Sequence, residues 1–561
     1  KGNAKKLRQL IYRLSKLKIF DPACGSGNFL IIAYKELRKL EIKIWQKINA
    51  LEPQYSFVFT EVKLSQFYGI ELDDFAHEMA ILSLWLAEHQ MNKIFVDELH
   101  DFGRAKPILP LKEAGHITQG NATRLNWEDT CPKNENDEIY ILGNPPYLGA
   151  KELNKIQKED VDLVFHNLGN VKRLDYIGCW FKKASDYIKN YNSKFSFVST
   201  DSICQGEQVE LIWPYILNKN QHIFFAHQSF KWSNNAKNQA GVSVIIVGIS
   251  NSTKTGTKLI IKDSRKIEVS NISPYLIEGP SVYMSQRSKP ISKFPKMILG
   301  SSGFDGGFLM VSSTEYNKVI NEAPSIKKFI RRFMSGADFI NNKERYCIWI
   351  NDGDIDEALG YDFIKTRIDG CYNYRLSGGR DAKKASKVPH RFFYRTHIES
   401  QSILLPKTTS GRRKYVPLGF MEPDTIVSNA SFVIYNVDVY MFGVLSSLMH
   451  NVWLAVTSAR MNTSYRYSVN LTYNTFPFPE INQKQKEQIN LHVFAVLEER
   501  EKHSGKTLAQ LYDPDKMPKG LKEAHHQLDL AIERCYRLKP FENDTERLEY
   551  LFKEYEKMIN K

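Results

Sequence analysis

One nine-residue stretch constrains this chain more than any other: Ile139-Tyr140-Ile141-Leu142-Gly143-Asn144-Pro145-Pro146-Tyr147. A short apolar run bounded by a glycine predicts a buried strand, Ile139 to Leu142, ending at Gly143. The two prolines fix their own φ and donate no backbone hydrogen bond, so the loop that follows is stiff. Stiff loops at the carboxyl ends of strands are where open α/β sheets hold ligands. Asn144 brings a side-chain carbonyl, Pro145 a backbone carbonyl and Tyr147 a flat ring. Two acceptors beside an aromatic plate suit an exocyclic amino group on a planar ring, or an amide. In isolation an ordinary strand and proline-rich turn would look the same, so the surrounding sequence decides.

That surrounding sequence alternates strands and helices. Lys18-Ile19-Phe20 predicts a strand leading into Asp21-Pro22-Ala23-Cys24-Gly25-Ser26-Gly27-Asn28, with a helical pattern to about Trp45. Glycines at such a turn let the backbone approach a ligand closely. No Gly-Lys-Ser/Thr follows, which excludes a P-loop, and Leu30 stands where a dinucleotide fingerprint has its third glycine. Asp21 places a carboxylate at the strand end, where it can bind a cationic amino-acid moiety. A second strand, Gln66 to Ile70, ends in Glu71-Leu72-Asp73, and an acid at that tip can accept both hydroxyls of a ribose. A helix is expected from Phe75 to about Gln90. A third tip, Ile117 to Thr123, carries Asn121, an acceptor for an adenine amino group. Singly, Glu71 reads as a solvated charge and Asn121 as a turn residue. The ordered set points to a nucleotide-type cofactor.

Composition narrows the partner. The net charge is +14 and the pI near 9.1, which suits a polyanion. The positive excess is local: residues 325–415 hold 19 Lys and Arg against 10 Asp and Glu, whereas residues 483–561 hold 15 of each. Basic and aromatic residues interleave in Lys387-Val388-Pro389-His390-Arg391-Phe392-Phe393-Tyr394-Arg395, and Arg412-Arg413-Lys414 adds a compact cluster. Such residues neutralise phosphates; Arg460, Asn462, Arg466 and Asn470 are candidate readers of base edges. A merely solvated basic face is the alternative. The seven cysteines are scattered with no Cys-x-x-Cys pair, so neither a disulfide framework nor a zinc site is indicated, no metal is expected, and a reducing cytosol fits. No signal peptide is visible. The apolar region Val433 to Val456 is broken by Asn436, Asp438, His450 and Asn451, so no transmembrane helix is expected. The chain opens at Lys1 within a helical pattern and is expected to be a fragment of a longer protein.

Taken in order, Asp21 to Gly27, Gly69-Ile70-Glu71, Gly120-Asn121-Ala122 and Asn144 to Tyr147 resemble the signature of S-adenosylmethionine-dependent amino-methyltransferases of the DNA adenine-N6 class. Longer blocks extend the resemblance over nearly the whole chain, to the MmeI-like type II restriction–modification enzymes. They are Asn144 to Lys151, Arg287 to Pro290, Leu405 to Lys407, Arg412 to Pro417, Phe442 to Ser447, Tyr465 to Ser468 and Tyr473 to Pro477. The resemblance implies an α/β, Rossmann-like methyltransferase domain over residues 1–257. An α+β target-recognition domain over 258–480 and a helical region over 481–561 would follow. It implies that Asp21, Ala23, Gly25 and Gly27 line the methionine end of the cofactor, that Glu71 binds the ribose and that Leu72 packs on the adenine. Asn121, with Ala122 beside it, would meet the adenine edge. Asn144 and Pro145 would hold the target amino group, Pro146 would stiffen their loop and Tyr147 would stack on the target base. Phe230 and Trp232 fall where the family closes over a flipped base. Arg391, Arg395, Arg412, Arg413, Lys414, Arg460, Asn462 and Arg466 fall in its DNA-reading region. The implied activity is methylation of adenine N6 in double-stranded DNA, within a prokaryotic, cytoplasmic restriction–modification system.

Two departures from the family pattern stand out. Only 18 residues precede Ile19, so a cofactor-binding motif that the family carries upstream is expected to be absent. No Asp…Glu-x-Lys nuclease cluster is found, so the family's amino-terminal nuclease and helical connector are expected to be missing, and the fragment should not cut DNA. Two rival readings remain at this point. The Asn-Pro-Pro-Tyr loop also occurs in protein glutamine-N5 methyltransferases, which are small and lack a long basic region. A catalytically inert DNA-binding specificity module would bind no cofactor.

Overall fold

Near-continuous apolar runs predict strands buried on both faces, and the computed structural model gathers such strands, with more exposed ones at its edges, into one nine-stranded sheet. It describes residues 2–53, 56–105, 115–166, 169, 171–217, 220–231, 243–251, 256–262, 264–461 and 464–560. These fall into two compact units, Lys1–Tyr283 and Met284–Lys561.

The first unit carries β1 (Leu17–Asp21), β2 (Phe67–Glu71), β3 (His116–Gln119), β4 (Glu138–Gly143) and β5 (Ser193–Thr200). Next come β6 (His222–Lys231), β7 (Ser243–Ser250), β8 (Lys258–Lys262) and β9 (Arg265–Val269). Their order is β3-β2-β1-β4-β5-β7-β6-β8-β9. The first five are parallel, and β7 inserts antiparallel between β5 and β6. The helices are α1 (Gly2–Leu14), α2 (Asn28–Leu51), α3 (Asp74–Glu98), α4 (Trp127–Thr130), α5 (Lys155–Val164), α6 (Gly178–Ile188) and α7 (Gly206–Leu217). Tyr34 and Ile48 of α2 and Leu84 and Phe95 of α3 pack fully buried into one core with Phe67 of β2. After β1 the chain winds outward to β2 and β3, then returns to the other side as β4. The direction reverses between β1 and β4, so a crevice opens beyond their carboxyl ends. Asp21 ends β1 there, and Asn144 follows β4.

The first unit runs past the expected boundary at residue 257. The hairpin β8–β9 gives the sheet's β6 a parallel partner, with Phe225, Ala226 and His227 opposite Leu259, Ile260 and Ile261. Short strands of mixed polarity do this edge-covering, and the unit closes only at Tyr283.

The second unit is α+β. One four-stranded sheet orders Ile298–Leu299, Ser431–Tyr435, Ser402–Pro406 and Gly419–Met421; another orders Met310–Ser312, Arg345–Ile348, Ile330–Met334 and Ile426–Val427. The helices Gln483–Glu501, Lys519–Glu533 and Asp544–Ile559 belong to this same unit. Gly443 lies against Ile489, Val493 and Leu528 so closely that a Cβ there would press on all three. Buried polar ties reinforce the packing. Asp529 accepts from the Tyr415 hydroxyl and from the Leu448 amide, both at 2.7 Å, and Arg500 donates to the Tyr512 hydroxyl and to the Leu418 carbonyl, also at 2.7 Å. Among the described residues no single helix is long and apolar enough to cross a membrane. The apolar pair Val439–Ser446 and Leu448–Thr457 is bent by 54°, and its Phe442, Leu445, Met449 and Trp453 are wholly buried in this core.

Candidate active site

The turn after β1 has the form its glycines dictate. Gly25 and Gly27 hold φ of +54° and +83°, a left-handed conformation that other residues rarely adopt. A Cβ at Gly25 would meet no atom within 4 Å, so the turn leaves open space beside its backbone. Gly27 begins α2 without a side-chain cap. Across the turn, Glu71 is clamped by two amides, Gly25 at 2.7 Å and Asp73 at 2.9 Å.

Asp21 is wholly buried. Its Oδ1 accepts from the Ala23 amide at 3.0 Å, while its Oδ2 has no hydrogen-bond partner among the described residues. Burial pushes this carboxyl up to about 7, against the Ala23 amide, which lowers it, and with the charge of Glu71, which raises it further. Gly143, at the end of β4, touches the same group: a Cβ there would collide with the Asp21 carboxylate. Glycine is thus the residue that lets the two strand ends meet.

The loop that follows holds a second orphan. Asn144 Oδ1 is buried without a partner among the described residues, an arrangement that costs about 1–3 kcal/mol. Pro145 is buried, Pro146 exposed and Tyr147 half-buried. Burial raises the Tyr147 phenol and the neighbouring Asn144 side chain draws it down, with burial the stronger. The far end of the loop is tethered by Asp175, which accepts from Ser202 Oγ at 2.6 Å and from the Ala150 amide at 3.4 Å; the Tyr176 amide donates to Leu148 at 2.9 Å.

These pieces surround one cleft of about 540 Å³. Of the residues expected there, Ala23, Gly25, Glu71 and Leu72 line one part of it. Asn121, Ala122, Asn144 and Pro146 line another. Asp21, Gly27, Pro145 and Tyr147, also expected at the site, are not among the residues that line it.

The expected role of the Asn121 amide as an adenine acceptor is not what the geometry provides. Its Oδ1 already accepts from the Thr123 amide at 2.9 Å and hydroxyl at 2.6 Å, and its Nδ2 donates to Asp160 at 3.1 Å. Asn121 shapes its turn instead. Ile156, Asp160, Tyr176 and Trp180 also line the cleft and carried no signal in the sequence. Trp180 Nε1 donates to the Pro22 carbonyl at 3.0 Å, bracing the glycine turn from α6.

The residues expected to touch DNA are less uniform. Phe230 lies half-buried in β6 with its ring edge-on to His227 at 4.5 Å. Trp232, Asn462 and the Arg460 side chain lie outside the described residues. Arg391 pairs with Asp352 at 3.0 Å. Arg395 stacks on Trp349 at 4.0 Å and donates to the Ile350 carbonyl at 2.7 Å and to Asn351 at 2.9 Å. The Arg395 guanidinium is engaged by Trp349, Ile350 and Asn351, whereas Arg391 makes a single ion pair, to the exposed Asp352. Arg413 is half-buried, its guanidinium depressed by burial. Arg412 is exposed and paired with Asp515 at 2.5 Å. Lys414 and Arg466 are exposed.

With that geometry in hand, the chain can be set beside known proteins. Residues 1–262 match the family described as MmeI, DNA-methyltransferase domain; residues 278–480 match MmeI, target recognition domain; residues 481–561 match MmeI, C-terminal domain. DNA methyltransferase A of Bacillus subtilis (strain 168) is 44% identical over 558 residues, which is 99% of this chain and 63% of that protein. This chain therefore spans less than two thirds of that relative. The type II restriction enzyme and methyltransferase RM.Eco57I of Escherichia coli is 25% identical over 195 residues, 31% of this chain and 19% of that protein. Among solved structures, the type IIL restriction–modification enzyme MmeI, determined in complex with DNA, is similar at a TM-score of 0.85 and 37% identity. That likeness covers 100% of this chain and 75% of that one. The chain belongs to the MmeI family of restriction–modification proteins, and carries that family's methyltransferase, target-recognition and C-terminal domains in order.

Proposed function

We propose that this chain transfers a methyl group from S-adenosylmethionine to the N6 amino group of adenine in duplex DNA, as the modification part of a restriction–modification enzyme. The observation that carries the reading is the buried, unpartnered Asn144 Oδ1 in a cleft shared with Glu71 and the glycine turn, at the reversal between β1 and β4. The cofactor's parts find matching chemistry. Asp21 Oδ2 is a buried acceptor without a donor, suited to an ammonium group, and the open turn at Gly25 admits a close ligand. Glu71 stands at the tip of the second strand, where a ribose is held. When bound, S-adenosylmethionine supplies an electrophilic methyl on a cationic sulfur.

The chain's own residues do the rest. The adenine amino nitrogen is a poor nucleophile because its lone pair is delocalised into the ring. Asn144 Oδ1 and the Pro145 carbonyl accept its two hydrogens, so the nitrogen can pyramidalise and present its lone pair. Positioning and preorganised dipoles then supply most of the acceleration, with no strong general base. The base must leave the duplex, at a cost of a few kcal/mol. Stacking on Tyr147 offsets ~1–3 kcal/mol of that. The target-recognition domain and the local positive excess of the second unit support DNA, rather than a protein glutamine, as the substrate.

Asn144→Ala tests the assignment. Transfer should fall by about 10²–10³-fold or more, as for the loss of a preorganised polar group, with DNA and cofactor affinities retained. Equal loss of binding and transfer would contradict the assigned role.

A further inference from the structure

Helix α5 follows the Asn-Pro-Pro-Tyr loop, and Ile156, Gln157, Asp160 and the cap residue Asn154 all line the cleft. Its first turn is closed by a capping box: Asn154 accepts from the Gln157 amide at 2.9 Å, and Gln157 from the Asn154 amide at 3.0 Å. Its inner face is held by one carboxylate. Asp160 is 1% exposed and accepts from Asn121 Nδ2 at 3.1 Å, the Tyr176 hydroxyl at 2.7 Å and Arg124 Nε at 2.6 Å. Asn121 and Arg124 come from the turn after β3, and Tyr176 from the segment before α6. One side chain therefore ties α5 to both neighbours, and Asn121 and Tyr176 themselves line the cleft. Burial alone would raise this carboxyl. The hydrogen bonds from Tyr176, Arg124 and Asn121 outweigh burial and hold it below the usual carboxylate range, so it serves as a fixed negative anchor.

The apolar lining is equally specific. Ile156 is 60% exposed and Leu72 67% exposed, though both line this concave wall. Large apolar side chains left open in a cleft gain when a flat ring covers them.

We propose that α5 completes the cofactor site: Ile156 supplies an apolar contact for the adenine ring additional to Leu72, and Asp160 is the positioning residue that fixes this wall through Asn121 and Tyr176. This inference rests on the cleft being an S-adenosylmethionine site. Asp160 acts by holding Asn121 and Tyr176, which line the same cleft, at a fixed spacing.

The test is calorimetric titration of S-adenosylhomocysteine into the full chain and into Ile156→Ala, Asp160→Ala, Asp160→Asn and Lys158→Ala, paired with steady-state methyl transfer. Ile156→Ala and Asp160→Ala should each raise Kd about tenfold, and the KM for cofactor with it. The kcat at saturating cofactor and the KM for DNA should hold. Asp160→Asn keeps one acceptor oxygen, enough for Tyr176 and Asn121 but not also for Arg124, and should recover part of the loss. The exposed Lys158 on the same helix should not matter. Ile156 is mostly exposed, so its substitution reads out even if Asp160→Ala folds poorly. Unchanged Kd in Ile156→Ala, or a matching loss of DNA affinity and kcat in Asp160→Asn, would overturn the inference while leaving the cofactor reading intact. No binding by the unaltered chain would overturn both.

Discussion

Asp21 should make the protein less stable than it could be, and the penalty should depend on pH. The carboxyl is wholly buried, keeps one amide donor and is raised from 3.8 to about 7. The folded state therefore holds this proton more tightly than the unfolded chain does. Stability falls as pH rises from about 4 to about 7, then stays level. The shift is about three pH units, worth roughly 4 kcal/mol at ~1.4 kcal/mol per unit. Asp21→Asn removes the charge and with it this cost, but adds amide hydrogens that lack acceptors, at about 1–3 kcal/mol. The variant should thus end above wild type at pH 8 by roughly 1–3 kcal/mol. The gap should shrink by ~1.4 kcal/mol per unit of pH below 7 and reverse before pH 4. The same substitution should abolish S-adenosylhomocysteine binding, because it removes the partner of the amino group. Wild-type affinity, for its part, should rise with pH up to about 7 and then level off. Thermal unfolding followed by fluorescence at pH 5, 6, 7 and 8, with parallel titrations, reads both quantities. A stability gap independent of pH would refute the buried, protonatable Asp21; full cofactor affinity in the variant would refute its role.

The other expectations concern the second unit. Tyr415→Phe leaves the buried Asp529 with only the Leu448 amide, and should lower unfolding stability by about 1–3 kcal/mol. Arg466→Ala removes an exposed cation and should reduce the slope of log affinity for DNA against log salt by about one. Arg395→Ala should leave that slope unchanged and instead lower thermal stability, since its guanidinium is spent on Trp349, Ile350 and Asn351.

Much of the site was legible because its residues sit at strand ends, where the sheet itself brings them together. A glycine turn, an acid after the second strand and a proline-stiffened loop after the fourth are local signals, and parallel order places their tips side by side. What the sequence hid is tertiary. Asp160 lies on a polar helix whose residues look solvated until Asn121, Arg124 and Tyr176 converge on it. Asn121 reads equally as a ligand acceptor or as a turn former, and only the Thr123 contacts decide. Arg391 and Arg395 sit among aromatics, a pattern that serves phosphate binding and internal stacking alike. The sheet runs on past residue 257 through β8 and β9, whose short mixed-polarity runs carry little sequence signal and whose place shows only in their pairing with β6. How the terminal helices brace the rest of the second unit was also invisible in sequence: Asp529 holds Tyr415 and the Leu448 amide, and Arg500 the Leu418 carbonyl.

The most direct measurement is to incubate the chain with methyl-labelled S-adenosylmethionine and mixed-sequence duplex DNA, digest the DNA and identify the labelled nucleoside. Label in N6-methyladenine, lost in Asn144→Ala, is the result expected. Label in N4-methylcytosine, or label that persists in Asn144→Ala, would contradict the proposed chemistry.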